Sequence, residues 1–343
     1  MSSSILIIYT GGTIGMKEDP SDGTLKPFDF SQIKEEVPEL NKFDVRIDSY
    51  TFDPLIDSSD VEPALWTSLG GLIEERYEDY DGFVILHGTD TMAYSASTLS
   101  FMLEGLTKPV VFTGSQLPIG VPRTDGKENL IGAVEIAAAK DADGHARVPE
   151  VCIFFDSKLL RGNRSTKYSA EAFNAFASPN CPPLAEAGIH IRYNTELIRK
   201  PVYWDARLRV QTSLDTRVAI LKVHPGMTPQ VMRSVVSDPG TRAVILETYG
   251  SGNALSKDWF LRIISEACQA GKILLNVTQC QAGTVNMDLY ATGASLKRAG
   301  VLSGADITTE AALGKLFCLM GRSDQDKWVK TMLEKDLCGE ISK

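Results

Sequence analysis

The stretch ILIIY at positions 5–9, followed directly by TGGTIG at positions 10–15, decides the fold class of this chain. A short run that is apolar on both faces is typical of a parallel strand covered by helices on both sides, and the glycines mark a turn at its end. The same order of run and loop recurs at 83–87 and 88–91 (FVILH, GTDT), at 109–113 and 114–116 (PVVFT, GSQ), and at 151–155 before the polar loop 156–164. Because helical patterns alternate with these runs, we expect an α/β fold built on a parallel sheet.

A second series of strands, loops and helices begins late in the chain. It contains apolar runs at 218–223, 243–246 and 273–277, each followed by a polar or glycine-containing loop. The segment 193–215 between the two series is rich in arginine and polar residues and lacks this cycle. We therefore predict two domains, a large N-terminal α/β domain at 1–192 and a smaller C-terminal α/β domain at 216–343, joined by a linker at 193–215.

Charge and composition narrow the classes of partner. The 343 residues include 35 Lys and Arg against 44 Asp and Glu, which gives a net charge of −9. An acidic chain has no general attraction to phosphate backbones or anionic lipids, so we expect neither a nucleic acid nor a membrane as partner. No apolar run approaches the roughly 18 residues that a membrane helix needs. The expected partner is a small molecule or another protein.

The cysteines and histidines do not form a metal-binding pattern. The six cysteines are scattered without a CxxC pair, and the four histidines are isolated from one another. This pattern predicts neither a zinc site nor a disulfide framework, and it is typical of reduced thiols in a cytoplasmic protein. We expect no metal and no cofactor.

In open parallel α/β sheets ligands bind beyond the carboxyl ends of the strands, so the loops after the predicted strands are the candidate site. The TGGTIG loop lacks the first glycine of a dinucleotide fingerprint, but its glycines allow a close backbone approach and Thr13 would present a hydroxyl there. In the GTDT loop, Asp90 is either a helix cap or the carboxylate of a polar clamp. The DSSD segment at 57–60 has the residue types of a helix cap, and Asp125 with Glu128 predicts a capping box.

The basic loop RGNRSTK at 161–167 has two interpretations. By itself it is typical of a solvated surface turn. If it folds inward, Lys167 can act as a base, because desolvation disfavours the charged form of a lysine.

The combination of motifs is more specific than any one of them. Along the chain, in order, stand TGGTIGM (10–16), DSSD (57–60), HGTDTMAYSAS (87–97), TGSQLP (113–118), RGNRSTK (161–167), FASPN (176–180), GSGNA (250–254) and NVTQCQAG (276–283). This set resembles the bacterial-type L-asparaginases, and most of all their cytoplasmic type I members. The resemblance extends from Ile5 to about Leu333. It implies a two-domain α/β fold and the hydrolysis of L-asparagine to aspartate and ammonia through a threonine acyl-enzyme.

The resemblance also implies roles for individual residues. Thr13 matches the first catalytic threonine, and Thr89 matches the second, in a group with Asp90 and Lys167. We assign the attack to Thr13, with Thr89 as the alternative nucleophile. The residues that match the substrate-binding positions are Asp57, Ser58, Ser59, Thr89, Asp90 and Gln116. Family members are usually homodimers or homotetramers without a cofactor or a catalytic metal.

Two positions depart from the pattern of the family. Many members carry a tyrosine on the flexible loop after the first strand, where it activates the first threonine, and here Thr24 stands near that position. Tyr290 is the candidate substitute, with a packed aromatic as its alternative interpretation. Allosterically activated relatives have an arginine ahead of the second-domain glycine loop, where this chain has Glu247. We therefore expect hyperbolic or weakly sigmoidal kinetics.

Overall fold

The chain divides into two compact units in a computed structural model that describes residues 3–18, 25–27 and 37–342. The first unit is Met1–Thr212 and the second is Ser213–Lys343. The division falls inside the segment 193–215 that the sequence suggests as a linker. The described residues include no helix that is both long and apolar enough to cross a membrane.

The strands of the first unit build one large sheet and three small two-stranded pairs. They are β1 (Ser3–Tyr9), β2 (Met16–Glu18), β3 (Leu25–Pro27), β4 (Val45–Thr51), β5 (Gly82–Leu86), β6 (Leu103–Glu104), β7 (Val110–Thr113), β8 (Val151–Phe155), β9 (Lys158–Arg161), β10 (Thr166–Lys167), β11 (Phe176–Ala177), β12 (Ala185–Ala187), β13 (Ile191–Tyr193) and β14 (Arg209–Val210). The large sheet has the order β13-β12-β9-β8-β7-β5-β1-β4. Its strands β4, β1, β5, β7 and β8 are parallel, and β9, β12 and β13 are antiparallel at the other edge.

Both faces of the parallel strands β1, β5, β7 and β8 are buried, as their unbroken apolar runs predict, whereas the edge strand β4 is largely exposed. Every residue of β5 is buried. Alternate residues of the central strands, such as Ile7, Val84 and Val111, belong to one core cluster with Leu130 and Val134 of a covering helix. The helices among the described residues of this unit are α1 (Pro63–Arg76), α2 (Met92–Met102) and α3 (Gly126–Ala138). The predicted α/β class is therefore confirmed, with three antiparallel strands added at one edge.

The second unit repeats the architecture on a smaller scale. Its strands run parallel in the order of the chain and are β15 (Val218–Lys222), β16 (Ala243–Thr248), β17 (Ile273–Thr278) and β18 (Leu302–Ser303). Its helices are α4 (Pro229–Val236), α5 (Asp258–Gln269), α6 (Ala291–Arg298), α7 (Thr309–Arg322) and α8 (Asp326–Leu333). A separate apolar cluster that includes Phe260, Ile264 and Leu246 forms the core of this unit.

The strand register brings the loops of the candidate site together. Tyr9 is paired with Thr51 on one side and with Leu86 on the other, and Leu86 is paired with Thr113. These four residues end their strands in one row across the sheet. The loops that begin at positions 10, 52, 87 and 114 therefore all leave the sheet at the same edge, which is where parallel sheets bind ligands.

Candidate active site

The loop after β1 passes close to two other loops because it contains two glycines. Gly11 and Gly12 have φ angles of 135° and 94°, which side chains rarely tolerate. A Cβ on Gly11 would stand 2.1 Å from the carbonyl oxygen of Ile56, and one on Gly12 would stand 2.5 Å from the backbone nitrogen of Gly88. Thr13 follows as the first residue of the short 3-10 turn Thr13–Gly15 and is half-buried. The loop thus presents Thr13 beside the start of the GTDT loop.

The DSSD segment is pinned to the GTDT loop by its buried serine. Ser58 accepts a hydrogen bond on Oγ from the backbone N–H of Asp90 (3.3 Å) and one on its carbonyl from the Thr91 hydroxyl (2.6 Å). The Asp57 carboxylate accepts from the backbone N–H and the hydroxyl of Ser59, both at 2.9 Å. These bonds, the one from the Ser59 backbone first, lower the pKa of Asp57. An ionised carboxylate therefore lies exposed beside the loops after β1 and β5.

Asp90 does not cap the helix that follows it. The N-cap of α2 is Thr91, and no side chain accepts a capping hydrogen bond there. The carboxylate of Asp90 instead pairs with Lys167, whose Nζ lies 2.6 Å from Asp90 Oδ1 and 2.9 Å from Thr89 Oγ1. Of the two interpretations of Asp90, the helix cap is wrong.

The loop that carries Lys167 is folded into the protein. Arg161, Asn163, Arg164 and Ser165 are buried, so the interpretation as a solvated surface turn is wrong. Arg161 lies at the end of β9, a strand that the sequence patterns did not indicate, and its guanidinium pairs with Glu150 at 2.6 Å. This ion pair allows a charged residue to lie inside, because each charge has a partner there.

Helix α2 holds the same loop on its other side. The Ser97 hydroxyl donates to the Gly162 carbonyl (3.3 Å), and a Cβ on Gly162 would stand 3.1 Å from the Cβ of Ala96. Lys167 then leaves the loop in the two-residue strand β10, which pairs with β11. Its side chain is 21% exposed, against 60% for Asp90. The side chain of Lys167 therefore approaches Thr89 from inside the protein and not from solvent.

Gln116 connects three loops of the site. Its side-chain oxygen accepts from the Thr89 hydroxyl at 3.5 Å, and its amide nitrogen donates to the carbonyls of Ala170 and Ala172 at 3.2 and 3.1 Å. The backbone N–H of Gln116 donates to Asp125, at 3.1 Å from Oδ1 and 3.0 Å from Oδ2. Gln116 therefore ties the segment after Lys167 to the second threonine.

The predicted capping box at Asp125 is wrong. Asp125 is the N-cap of α3, but its side chain accepts no capping hydrogen bond. Besides the N–H of Gln116, its carboxylate accepts the N–H of Leu117 (3.2 Å) and the amide of Asn129 (3.2 Å). Asp125 thus shapes the TGSQ loop, a role that the sequence analysis missed, since its D-x-x-E spacing indicated a local cap. His87 is buried beneath the GTDT loop, and no sequence pattern indicated a role for it.

Tyr290 and Glu247 belong to the second unit. Tyr290 is 55% exposed and is the N-cap residue of α6. Glu247 is the last residue but one of β16, and its carboxylate accepts from the Thr309 hydroxyl (2.7 Å) and lies 3.8 Å from Lys222 Nζ. The position of Thr24 lies outside the described residues.

One group of possible metal ligands lies away from these loops. Asp141, Asp143 and His145 offer ligand atoms within 4.8 Å of one another. They stand between α3 and β8, at the amino ends of the parallel strands, whereas the site lies at the carboxyl ends. The carboxylate of Asp141 already accepts Lys200 Nζ and the backbone N–H groups of Asp143 and His145.

The arrangement has the parts of a nucleophilic acyl-transfer site. A hydroxyl needs an adjacent base, and the base needs a group that orients it. Thr89 supplies a hydroxyl and Asp90 a carboxylate, and the amine of Lys167 lies within hydrogen-bond distance of both. Thr13 supplies a further hydroxyl on the neighbouring loop, next to the contact between Gly12 and Gly88.

Comparisons with known proteins agree with this geometry. The family model described as Asparaginase, N-terminal matches residues 4–199, and the one described as Glutaminase/Asparaginase C-terminal domain matches residues 217–333. The chain is 43% identical to L-asparaginase 1 of Escherichia coli K12, with 99% of this chain and 98% of that protein covered. It is 42% identical to the 60 kDa lysophospholipase of Mus musculus, with 98% of this chain and 62% of that protein covered.

A solved structure gives the same result in three dimensions. The crystal structure of L-asparaginase I from Vibrio cholerae superposes with a TM-score of 0.90 at 40% identity, and both chains are covered in full. The two family models together cover most of the chain, and the relatives match along nearly all of it. This chain therefore belongs to the asparaginase family.

Proposed function

We propose that this chain is an L-asparagine amidohydrolase, which converts asparagine to aspartate and ammonia. The observation that carries the proposal is the position of Lys167 Nζ, 2.9 Å from Thr89 Oγ1 and 2.6 Å from Asp90 Oδ1. Membership of the asparaginase family, with L-asparaginase 1 of Escherichia coli at 43% identity, supports the choice of substrate.

The proposed reaction is an acyl transfer through a threonine ester. The Thr13 hydroxyl attacks the side-chain amide carbon of asparagine and gives up its proton, and ammonia leaves with a proton from the site. The β-aspartyl ester that remains on Thr13 is then attacked by water, which releases aspartate and restores the hydroxyl. Thr89 as the attacking residue is the alternative within the same mechanism.

Lys167 is the proposed base, and it acts through Thr89. When the amine is neutral, it accepts a proton that Thr89 relays from the attacking group, and Asp90 keeps the amine in place. The support is geometric, since Lys167 lies within hydrogen-bond distance of both residues and its side chain is mostly buried. Backbone N–H groups of the glycine loops are the proposed donors to the oxyanion.

The amino-acid end of the substrate is the proposed partner of the neighbouring polar residues. The Asp57 carboxylate, whose pKa is lowered, and the exposed carboxylate of Asp90 are suited to the α-ammonium group. The hydroxyl of Ser59 and the backbone of the 58–60 turn are suited to the α-carboxylate, and Gln116 lines the same edge. Ser58 contributes by holding this turn against the N–H of Asp90.

Tyr290 is the proposed aid to Thr13, in place of a tyrosine near position 24. The support for this proposal is chemical. A phenol can donate and accept a hydrogen bond, and Tyr290 is exposed at the start of a helix. Tyr290→Phe keeps the ring and removes the hydroxyl. We expect a lower kcat from this variant, and a wild-type kcat would remove Tyr290 from the mechanism.

We also propose that the protein is cytoplasmic and that it forms a homodimer or homotetramer. The six cysteines are scattered along the sequence without a CxxC pair, a usage that supports a reducing, cytoplasmic location. Large apolar side chains at Ile189, Val202 and Tyr203 are exposed on the first unit, which supports a homodimer or homotetramer. Light scattering on the purified protein measures the mass, and a monomer at micromolar concentration would contradict the assembly proposal.

Ammonia release from purified protein tests the proposed function. The assay is run with asparagine, with glutamine, and with buffer alone. We expect ammonia and an equal amount of aspartate from asparagine. A faster rate with glutamine would make the protein a glutaminase, and no ammonia from either substrate would indicate a silent amide-binding protein.

A further inference from the structure

His87 lies beneath the GTDT loop without contacting solvent. It follows β5 directly, and its side chain belongs to a residue that is 1% exposed. Its backbone N–H donates to the Thr113 carbonyl at 3.0 Å, and its ring meets Phe112 edge to face with centroids 5.8 Å apart. The imidazole is therefore held in a fixed position below Gly88 and Thr89.

The groups around the His87 ring determine which atom donates in each of its hydrogen bonds. The indole N–H of Trp66 can only donate, and it donates to Ser95 Oγ at 2.8 Å. The Ser95 hydroxyl lies 2.9 Å from Nε2 of His87, and Nδ1 of His87 lies 2.7 Å from the Gly88 carbonyl, which can only accept. Burial lowers the pKa of His87 to about 4, so the ring is neutral at physiological pH. Nδ1 therefore carries the proton, and Nε2 accepts from Ser95.

The bond to the Gly88 carbonyl sets the orientation of the next peptide group. The peptide between Gly88 and Thr89 is trans, so the Thr89 N–H points away from the carbonyl and thus away from the ring. A glycine alone would let this peptide rotate easily. On its other sides Gly88 is confined, because a Cβ on it would stand 2.4 Å from Ser58 Oγ, and Gly12 is packed against its backbone.

We propose that His87 is a positioning residue for the acyl transfer, because its Nδ1–H holds the Gly88 carbonyl and thereby places Thr89 against Lys167. The proposal rests on the proposed function. It goes beyond that function because it explains the geometry of the Thr89–Lys167 pair by a buried hydrogen bond. Loss of this bond lets the Gly88–Thr89 peptide turn, and the proton path between Thr89 and Lys167 is then misaligned.

A pair of variants separates this role from simple packing. In His87→Asn the side-chain amide nitrogen takes the place of Nδ1 and can still donate to Gly88. In His87→Gln the polar end reaches the place of Nε2 and leaves the Gly88 carbonyl without its donor. We expect His87→Asn to keep kcat within a few-fold and His87→Gln to lose about 10- to 100-fold in kcat, with a smaller change in KM.

The opposite order of the two variants would overturn the proposal. A residue that only fills space is better replaced by the larger Gln, so a kcat for His87→Gln equal to or above that of His87→Asn contradicts it. His145, which stacks on Trp204 away from the site, is the matched control. We expect His145→Gln to keep the wild-type kcat. Melting curves verify that each variant is folded.

A second measurement does not depend on activity. Nitrogen-15 NMR of the full wild-type chain, labelled at histidine, reads the tautomer of His87. We expect the proton on Nδ1, and a proton on Nε2 would overturn the proposal even in an active asparaginase. A wild-type protein that releases no ammonia from asparagine would instead remove the proposed function and leave the tautomer result standing.

Discussion

Replacing Lys167 by methionine separates catalysis from stability at the centre of the site. Methionine keeps the aliphatic bulk, but it removes the amine that lies 2.9 Å from Thr89 Oγ1 and 2.6 Å from Asp90 Oδ1. Among the described residues, the Thr89 hydroxyl then keeps only its long contact of 3.5 Å to Gln116. A positioned general base contributes about 10²- to 10⁴-fold to a rate, so we expect kcat to fall by that factor, or about 3–5 kcal/mol in activation free energy.

The stability of the protein is expected to change far less than its rate. Asp90 is 60% exposed, so water screens its pair with Lys167, and such pairs contribute about 0–1 kcal/mol. In a chain of 343 residues that amounts to a shift in Tm of roughly 1–2 °C at most. The rate loss therefore exceeds the stability loss several-fold on the same free-energy scale.

The assay is steady-state ammonia release with increasing asparagine, beside a melting curve. Lys140 is the matched control, because its Nζ lies 3.0 Å from Asp81 in a similarly solvent-accessible pair of the same unit. We expect Lys140→Met to lose a similar amount of stability and no kcat. Lys167→Arg should recover little, since a guanidinium does not deprotonate in this range. A near-wild-type kcat for Lys167→Arg would refute the role as a base and leave only that of a fixed positive charge.

Three further predictions follow from other residues. Thr13→Ala should abolish turnover with the fold intact and Thr13→Ser should keep some of it, and a wild-type rate in Thr13→Ala would transfer the attack to the alternative threonine. Because Glu247 stands in the place of a cation, asparagine kinetics should be hyperbolic or weakly sigmoidal, and a Hill coefficient well above one that is lost on mutating Thr278 or Cys280 would contradict this. Burial lowers the pKa of folded His87 to about 4 from its ordinary value of 6.5, so the unfolded chain binds the extra proton. The stability that is present above about pH 6.5 therefore falls as the pH drops, by on the order of 3 kcal/mol at pH 4. Denaturant unfolding at several pH values should show a shallower loss for His87→Asn, and an unchanged slope would contradict it.

The parts of the fold that follow local rules could be predicted from the sequence. The apolar runs that became β1, β5, β7 and β8 are buried on both faces, so their composition reports their position in the sheet. The polar loops that follow β1, β5 and β7 then had to meet at one edge, since the strands are parallel and in register. The parallel register was therefore enough to predict that the loops with Thr13 and Thr89 lie close together.

The parts that depend on distant partners could not be predicted. Arg161 is buried because Glu150 neutralises it, and nothing in the sequence around the arginine identifies that partner. The D-x-x-E spacing at Asp125 is a correct local pattern for a helix cap, but the N–H groups of Gln116 and Leu117 take up the carboxylate. In both cases the role depends on a partner elsewhere in the chain, which the local sequence does not identify.

The role of His87 could not be predicted from the sequence either. A single histidine without neighbouring ligands has no sequence signal for a role, because its role depends on Ser95 and Gly88 at either end of the ring. The sequence indicated the neighbouring residue, Gly88, only as part of the GTDT loop. The tautomer and the held carbonyl follow from the geometry of the folded chain alone.

The most direct test of the account is to trap the acyl-enzyme. The wild-type chain is mixed with asparagine and quenched in acid during turnover, and the digested protein is sequenced by mass spectrometry. We predict a β-aspartyl ester on Thr13 that is absent from protein incubated in buffer without asparagine and from Thr13→Ala. An ester on Thr89 would assign the attack to that residue, and ammonia release at full rate with no ester on any threonine would contradict the acyl-transfer mechanism.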